Sequence, residues 1–290
     1  MYHKSKGYRV FYGLNIVFLI LISLMCIFPL IHVLAVSFSS ASAAAANLVT
    51  LWPVDFTLKS YEETLSNSKF LDALLISVVR VALVLSLGMI VTVLTAYPLS
   101  KFNLKGGKWL AWFFVVTMLF NGGLIPGYIL ILELGIMNTL WALILPNIVN
   151  VYNIILMLNF FRNIPRELEE AALIDGAGQL VTLFRVYLPV SLPSIATIAL
   201  FIAVQQWNSW FDGLIYLSDT SIWPLSTLLQ NLLIAPDLTN NAIDSETLAQ
   251  MSEKTIRASQ IFIGALPILI VYPFLQRFFV KGIVLGAVKE

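Results

Sequence analysis

Polar residues in this chain are gathered into clusters, and between them lie long apolar runs. The runs show neither a one-sided helical period nor strand alternation. Six stand out, at about 13–37, 71–98, 109–131, 139–161, 190–215 and 258–280. Stretches of about 18 or more apolar residues can cross a hydrocarbon core of about 30 Å as helices. The third and fourth runs hold no charged residue. Lipid offers no partner for backbone polar groups, so each run should be α-helical; the alternating segments of ~10 residues that build a membrane barrel are missing. The expected fold is an all-α membrane protein, with a six-span domain over 13–280 between short termini at 1–12 and 281–290.

Composition agrees. Of 290 residues 59% are hydrophobic and 11% charged, where soluble domains run to about 25% charged. The apolar runs point to the lipid bilayer as partner, and a net charge of +1 indicates no polyelectrolyte partner such as nucleic acid. The 17 Lys and Arg sort by side. Twelve lie at the start (Lys4, Lys6, Arg9), in the second loop (Lys101, Lys105, Lys108), in the fourth loop (Arg162, Arg166, Arg185) and in the tail (Arg277, Lys281, Lys289). Four lie on the opposite side, at Lys59, Lys69, Lys254 and Arg257, and Arg80 falls inside the second span. The positive-inside rule places both termini and the fourth loop in the cytoplasm. The basic start, apolar run and small residues Ser40 to Ala44 resemble a secretory signal, but the run exceeds the core of about 7–15 residues that signals use. A retained first span is expected. Cys26, the single cysteine, has no disulfide partner and is expected to be a buried structural thiol.

Two long outer loops, 38–70 and 216–257, contain Trp52-Pro53, Tyr61 and Trp223-Pro224. Loops beyond about 15 residues are generally functional or disordered, and both readings stay open here. The fourth loop, 162–189, is more informative. It reads Asn163-Ile164-Pro165-Arg166-Glu167-Leu168-Glu169-Glu170-Ala171-Ala172-Leu173-Ile174-Asp175-Gly176. Pro165 suits a first helical turn, Glu167 complements the positive helix end, and Gly176 suits a terminating position of positive φ. A helix of about three turns follows, with Leu168, Ala171 and Ala172 as a small apolar face. It would either seat in a groove on a partner or lie on the membrane surface.

Glu170-Ala171-Ala172, three residues, Gly176, nine residues, then Val186-Tyr187-Leu188-Pro189 resembles the signature of ATP-binding-cassette (ABC) importer permeases. Val186 stands where that signature has Ile. Over nearly the whole chain the resemblance is to the carbohydrate-uptake branch, and within it to the smaller permease subunit of the maltose importer. It is carried by Asp55 to Tyr61, Ala96-Tyr97-Pro98-Leu99-Ser100, Trp207-Asn208-Ser209-Trp210-Phe211 and Lys281 to Lys289. It implies the type I importer permease fold and a sugar or oligosaccharide as cargo. It implies that Glu170, Ala171, Ala172, Asp175, Gly176, Leu188 and Pro189 form the element that couples to an ATPase. The implied partners are a second, different permease, two ATPase subunits and an extracytoplasmic solute-binding protein. The tail ending at Lys289 would reach the ATPase pair, and the segment near 218–256 would enter the binding protein.

No phosphate-cradling Gly-rich run is present; Gly106-Gly107-Lys108 is followed by Trp109 and lacks the first glycine. This chain is therefore expected to be no enzyme and to bind no cofactor, with ATP and Mg on partner subunits. The spans lack a dense Asp, Glu and His relay, which weighs against an ion- or proton-coupled carrier without excluding one. A non-transporting scaffold is the remaining alternative. Arg80 lies about 12 Å along the second span, with Asp72 as a candidate partner; it reads as a structural pair, a snorkelled anchor or a substrate contact. Asn147, Asn150 and Asn153 spread over a sector of about 120° on the fourth span. With Gln205, Gln206, Asn208, Trp207 and Trp210 they suit a sugar pathway, or serve as interhelical hydrogen bonds and an interfacial anchor.

Overall fold

The first apolar run folds as one helix, α1 (Lys6–Ser37), with Pro29 inside it. At 1.5 Å per residue it is about 48 Å long, more than a bilayer core requires. The computed structural model describes residues 6–101, 104–120, 122–234 and 253–273. The most apolar window of α1 is 0% buried within the chain, so lipid or another molecule covers it. Cys26 accordingly lies exposed on this helix and is not the buried thiol expected. Burial followed from hydrophobicity in that reading, but in a bilayer an apolar residue needs no protein around it.

Next come α2 (Ala41–Ala45), capped by Ser40, and α3 (Lys59–Ser66). The second span is α4 (Ser68–Ser100), unbroken over 33 residues. The third is split into α5 (Gly107–Leu119) and α6 (Leu124–Glu133), bent by 108° at the break. Gly123, at φ +88°, makes the turn that a side chain would resist. The fourth consists of α7 (Trp141–Ile148) and α8 (Val151–Arg162), in line as a span of 22 residues.

α9 (Arg166–Ile174) follows, then α10 (Gln179–Thr182), a π-helical turn over Leu183–Tyr187, and α11 (Leu188–Val190). α12 (Leu192–Asn208) is bent by 81° from the 179–190 segment. Pro189 and Pro193 both lack the N–H that would carry a straight helix through. The expected fifth span at 190–215 also ends early, because Ser209 is extended before α13 (Phe211–Tyr216). A 3₁₀ turn (Thr220–Ile222), α14 (Leu225–Ile234) and α15 (Glu253–Pro273) complete the described chain. Among the described residues four helices alone are long and apolar enough to cross a membrane, or up to six spans if each bent pair counts as one. No strand occurs among the described residues.

The chain divides into two compact units. The first comprises 1–70 and 232–266. In it the loop 38–70 is ordered: Phe38 stacks on Phe56 and on Tyr61 at 5.4 and 4.8 Å. Thr64 and Ser259 hydroxyls meet at 2.6 Å, and Lys254 donates to the Ala44 carbonyl at 2.9 Å. The second unit comprises 71–231 and 267–290. Its core joins Val84 and Ala96 of α4, Ile144 of α7, Met157 and Phe161 of α8, Leu183 and Tyr187 of the π turn, and Ile198 of α12. Also in this unit, Trp223 packs with Leu143 and Leu217 and donates its indole N–H to the Leu217 carbonyl at 3.1 Å. Part of the 216–257 loop is thus folded. Residues 235–252 of that loop and the tail 281–290 lie outside the described residues.

Candidate functional site

The loop between the fourth and fifth spans builds its helix as the residues predict, with a shift of one position at the start. Pro165 is the N-cap, at ψ 133°, and Arg166 opens α9. Glu167 and Glu169 occupy the first turn, where carboxylates offset the dipole. At the other end Asp175 is the C-cap, Gly176 N–H bonds to Leu173 O at 3.0 Å, and Ala177 N–H to Ala172 O at 2.9 Å. With Gly176 at φ +79°, these two bonds form a Schellman stop.

α9 has no buried residue. Glu170, Ala171, Asp175 and Gly176 are exposed, and Ala172 is half-buried. Of the expected apolar face, Leu168 is 42% exposed, and Ile174 is 86% exposed. Leu180, Val181 and Phe184 extend this apolar surface beyond the helix. Leu188 and Pro189 stand after the π turn, Leu188 half-buried and Pro189 exposed.

Behind α9 lies a polar cluster. Lys101, just beyond the end of α4, meets Glu169 Oε1 at 2.6 Å. The Tyr187 hydroxyl donates to Glu169 Oε2 at 2.7 Å. The Lys101 ammonium sits 4.1 Å from the centroids of both the Tyr97 and the Tyr187 rings, an arrangement that stabilises a cation through the ring faces. Tyr97 donates to Gln179, and its ring meets Tyr187 edge-on at 5.0 Å. Burial raises the Glu169 carboxyl, but hydrogen bonds from Lys101 and Tyr187, with attraction from Lys101 and Arg166, hold it below the ordinary value. An open groove of about 700 Å³, lined in part by Tyr97, Lys101, Arg162, Glu169 and Tyr187, runs alongside.

The polar residues of the spans are brought together only in part. Arg80 is fully buried and pairs with Asp212 at the start of α13. It also donates to Gln206 Oε1 at 3.2 and 3.0 Å and to the Ser209 carbonyl at 3.1 Å. The candidate partner Asp72 is exposed, and Arg80 pairs with Asp212 instead. Two turns of α4 separate Asp72 from Arg80, whereas the break after α12 delivers Asp212 directly. Asn147 donates to the Leu143 carbonyl of its own helix. Asn150 lies at the extended break and caps α8 by accepting from Asn153 N–H at 3.2 Å. The uniform 100° spacing used to place three amides on one face therefore fails at Asn150. Its amide donates to Gln205 at 3.5 Å. Asn153 is buried, with its amide nitrogen unpartnered, and Asn208 is exposed, bonding back to Val204.

Sequence reasoning did not assign roles to Lys101, Glu169, Tyr187 or Asp212. The one available signal was position: a lysine at a span end and a second glutamate inside the loop signature. Among the described residues no cluster of His, Cys, Asp and Glu is arranged to hold a metal.

No family model matches the chain. It is 40% identical over 287 residues to Protein LplC of Bacillus subtilis (strain 168), covering 99% of this chain and 97% of that one. It is 39% identical over 282 residues to the polygalacturonan/rhamnogalacturonan transport system permease protein YtcP of the same organism, covering 97% and 99%. Among solved structures it is similar to a chain of a bacterial ABC transporter involved in import of the acidic polysaccharide alginate. That likeness has a TM-score of 0.86 and 29% identity over 96% of this chain and 100% of that one.

Proposed function

The chain belongs to the permease family of ABC sugar importers, and on that premise we propose that α9 is the element through which it engages an ATPase subunit. The chain is a multi-pass permease subunit of the bacterial cytoplasmic membrane, serving import of a sugar or oligosaccharide. It is a transport component; ATP is hydrolysed on a separate subunit. Membership replaces the gradient-driven reading that the residues alone left open. It also implies partners of three kinds: a second permease, ATPase subunits and a solute-binding protein.

The chain pairs with a different permease around a central path, above two ATPase subunits that carry ATP and Mg, with its termini and α9 on the cytoplasmic side. The supporting observation is the exposed surface of α9: a short, sharply terminated helix with no buried residue. Apolar groups such as Ile174, at 86% exposed, form a surface suited to a protein groove or to the membrane, and membership in the importer family favours the groove. Closure of the ATPase pair moves α9, and the path switches from inward-facing to outward-facing. Asn147, Asn150, Asn153, Gln206 and Asn208 are retained as candidates for lining it. Arg80 acts there by holding Gln206 in place, since its own guanidinium is occupied.

Co-purification of the tagged chain with its ATPase, wild type beside Gly176→Pro, tests this reading. Loss of coupled transport in the variant supports it. An unaffected complex and unaffected transport overturn it.

While relatives at 28% and 27% identity are named for neutral sugars, two of the similar proteins, including the relative at 39% identity, point to an acidic oligosaccharide as cargo. One is named for polymers containing galacturonate, and the solved transporter for alginate. Uptake of labelled oligogalacturonate, competed by alginate fragments but not by neutral glucans, is the expected result.

A further inference from the structure

The structure assigns Glu169 a role distinct from that of its neighbour Glu170: we infer that it is a positioning residue, clamping α9 to α4 and to the π turn so that displacement of α9 is passed to the spans. The inference rests on the proposed docking role of α9 and adds the internal half of the linkage.

Adjacent helical residues point about 100° apart, and the two glutamates face different surroundings. Glu170 is exposed. Glu169 turns inward and divides its carboxylate, one oxygen to Lys101 at 2.6 Å and the other to Tyr187 at 2.7 Å. Lys101 follows α4 directly, and Tyr187 is the last residue of the π turn before Leu188-Pro189. One carboxylate thus joins the helix proposed to move to segments leading into two membrane-spanning helices.

Packing alone provides little of that connection, since no residue of α9 is buried. Charge-assisted hydrogen bonds are directional and about twice as strong as neutral ones. The cluster is also braced on its far side. Tyr97 and Tyr187 hold the ammonium between them, Tyr97 is bonded to Gln179 of α10, and Phe161 of α8 meets both rings edge-on at 6.3 and 5.5 Å. A pull on Glu169 is therefore resisted by α4, α8, α10 and the π turn together. The π turn is a wide, uncommon backbone form associated with functional sites, and it lies at the receiving end.

The test uses the complete importer in liposomes: both permeases, the ATPase subunits and the binding protein. Sugar transported per ATP hydrolysed is compared for wild type, Glu169→Gln, Tyr187→Phe and Lys101→Arg. Glu169→Gln is expected to retain the ATPase subunits and basal hydrolysis while its transport-to-hydrolysis ratio falls roughly tenfold, within the usual range of coupling energies. Tyr187→Phe, which removes a single hydroxyl and keeps the fold, is expected to lower the ratio less, and Lys101→Arg to preserve it. An unchanged ratio in both Glu169→Gln and Tyr187→Phe overturns the inference. So does release of the ATPase by Glu169→Gln, which would place Glu169 on the docking face. Failure of the docking reading is seen separately, as a Gly176→Pro complex that assembles and couples normally.

Discussion

Two polar nodes of the second unit, one within α4 and one just past its end, are built differently. Arg80, inside α4, is fully buried and donates to Gln206, to Asp212 and to the Ser209 carbonyl. Lys101, about 30 Å further on at 1.5 Å per residue, keeps 18% of its side chain exposed and holds one carboxylate and two ring faces. The inner node is surrounded by acceptors and fixes the start of α13 against α4. The rim node borders an open groove and ties α9, which has no buried residue, to the packed ends of α4 and the π turn. A charge in a low-dielectric interior must be matched on every side; a charge at a rim can have a partner that moves.

The largest expected effect comes from breaking the inner node. Asp212→Ala leaves a buried guanidinium without its counter-ion, a change that costs about 3–5 kcal/mol. Asp212 also accepts from Ser209 Oγ and Gly213 N–H at 2.9 Å each, so the local turn is lost as well. Unfolding in mixed micelles should show this loss, and Arg80→Met combined with Asp212→Leu should be less destabilised than either single change. Equal stability of the single variants and wild type would remove the distinction between the nodes.

Gly213→Ala tests the same region through packing. A Cβ at Gly213 would collide with Thr227 Oγ1 and come within 3.1 Å of Thr227 Cβ. Thr227 is itself held by a 2.9 Å bond to the Trp210 carbonyl. Overpacking of this kind costs about 1–3 kcal/mol, read in the same unfolding assay. At the rim, Gly176→Ala meets no neighbouring atom but must hold φ +79°, which costs about 1–2 kcal/mol. The penalty is local to the end of α9. Coupled transport should therefore fall while global stability changes less than in the Asp212 variant.

What the sequence could reveal divides along the same line. The spans were legible because 18 or more apolar residues have few alternatives in a bilayer, and the α9 stop was legible because Gly176 does a job few residues can do. The bends at Gly123 and before α12 were not, since composition scores a broken span and a straight one alike. Asp212 was missed as the partner of Arg80 because the pairing spans 132 positions and depends on where α12 ends. Lys101 was counted as a loop charge, which is all that its sequence position supports. The Asn147, Asn150 and Asn153 set failed as a helical face because Asn150 caps a helix instead of lying within one.

The smallest expected effect is a null one, and it separates the clamp from a pH sensor. The folded-state pKa of Glu169 lies below its ordinary value of 4.5. A depressed carboxyl contributes stability above the unfolded pKa, and the contribution is lost as pH falls through the lower folded value. Between about pH 6 and 8 the carboxylate is ionised in both states, so the clamp stays closed and adds no pH dependence. The transport-to-hydrolysis ratio of wild type and Glu169→Gln should therefore run parallel across that window, offset by a constant factor. The amide is a fixed imitation of the protonated acid. If wild type instead converged on the variant as pH fell toward 6, Glu169 would be titrating near neutrality. The Lys101 and Tyr187 bonds would then not be holding the charged form, and the rim node would be a switch instead of a linkage.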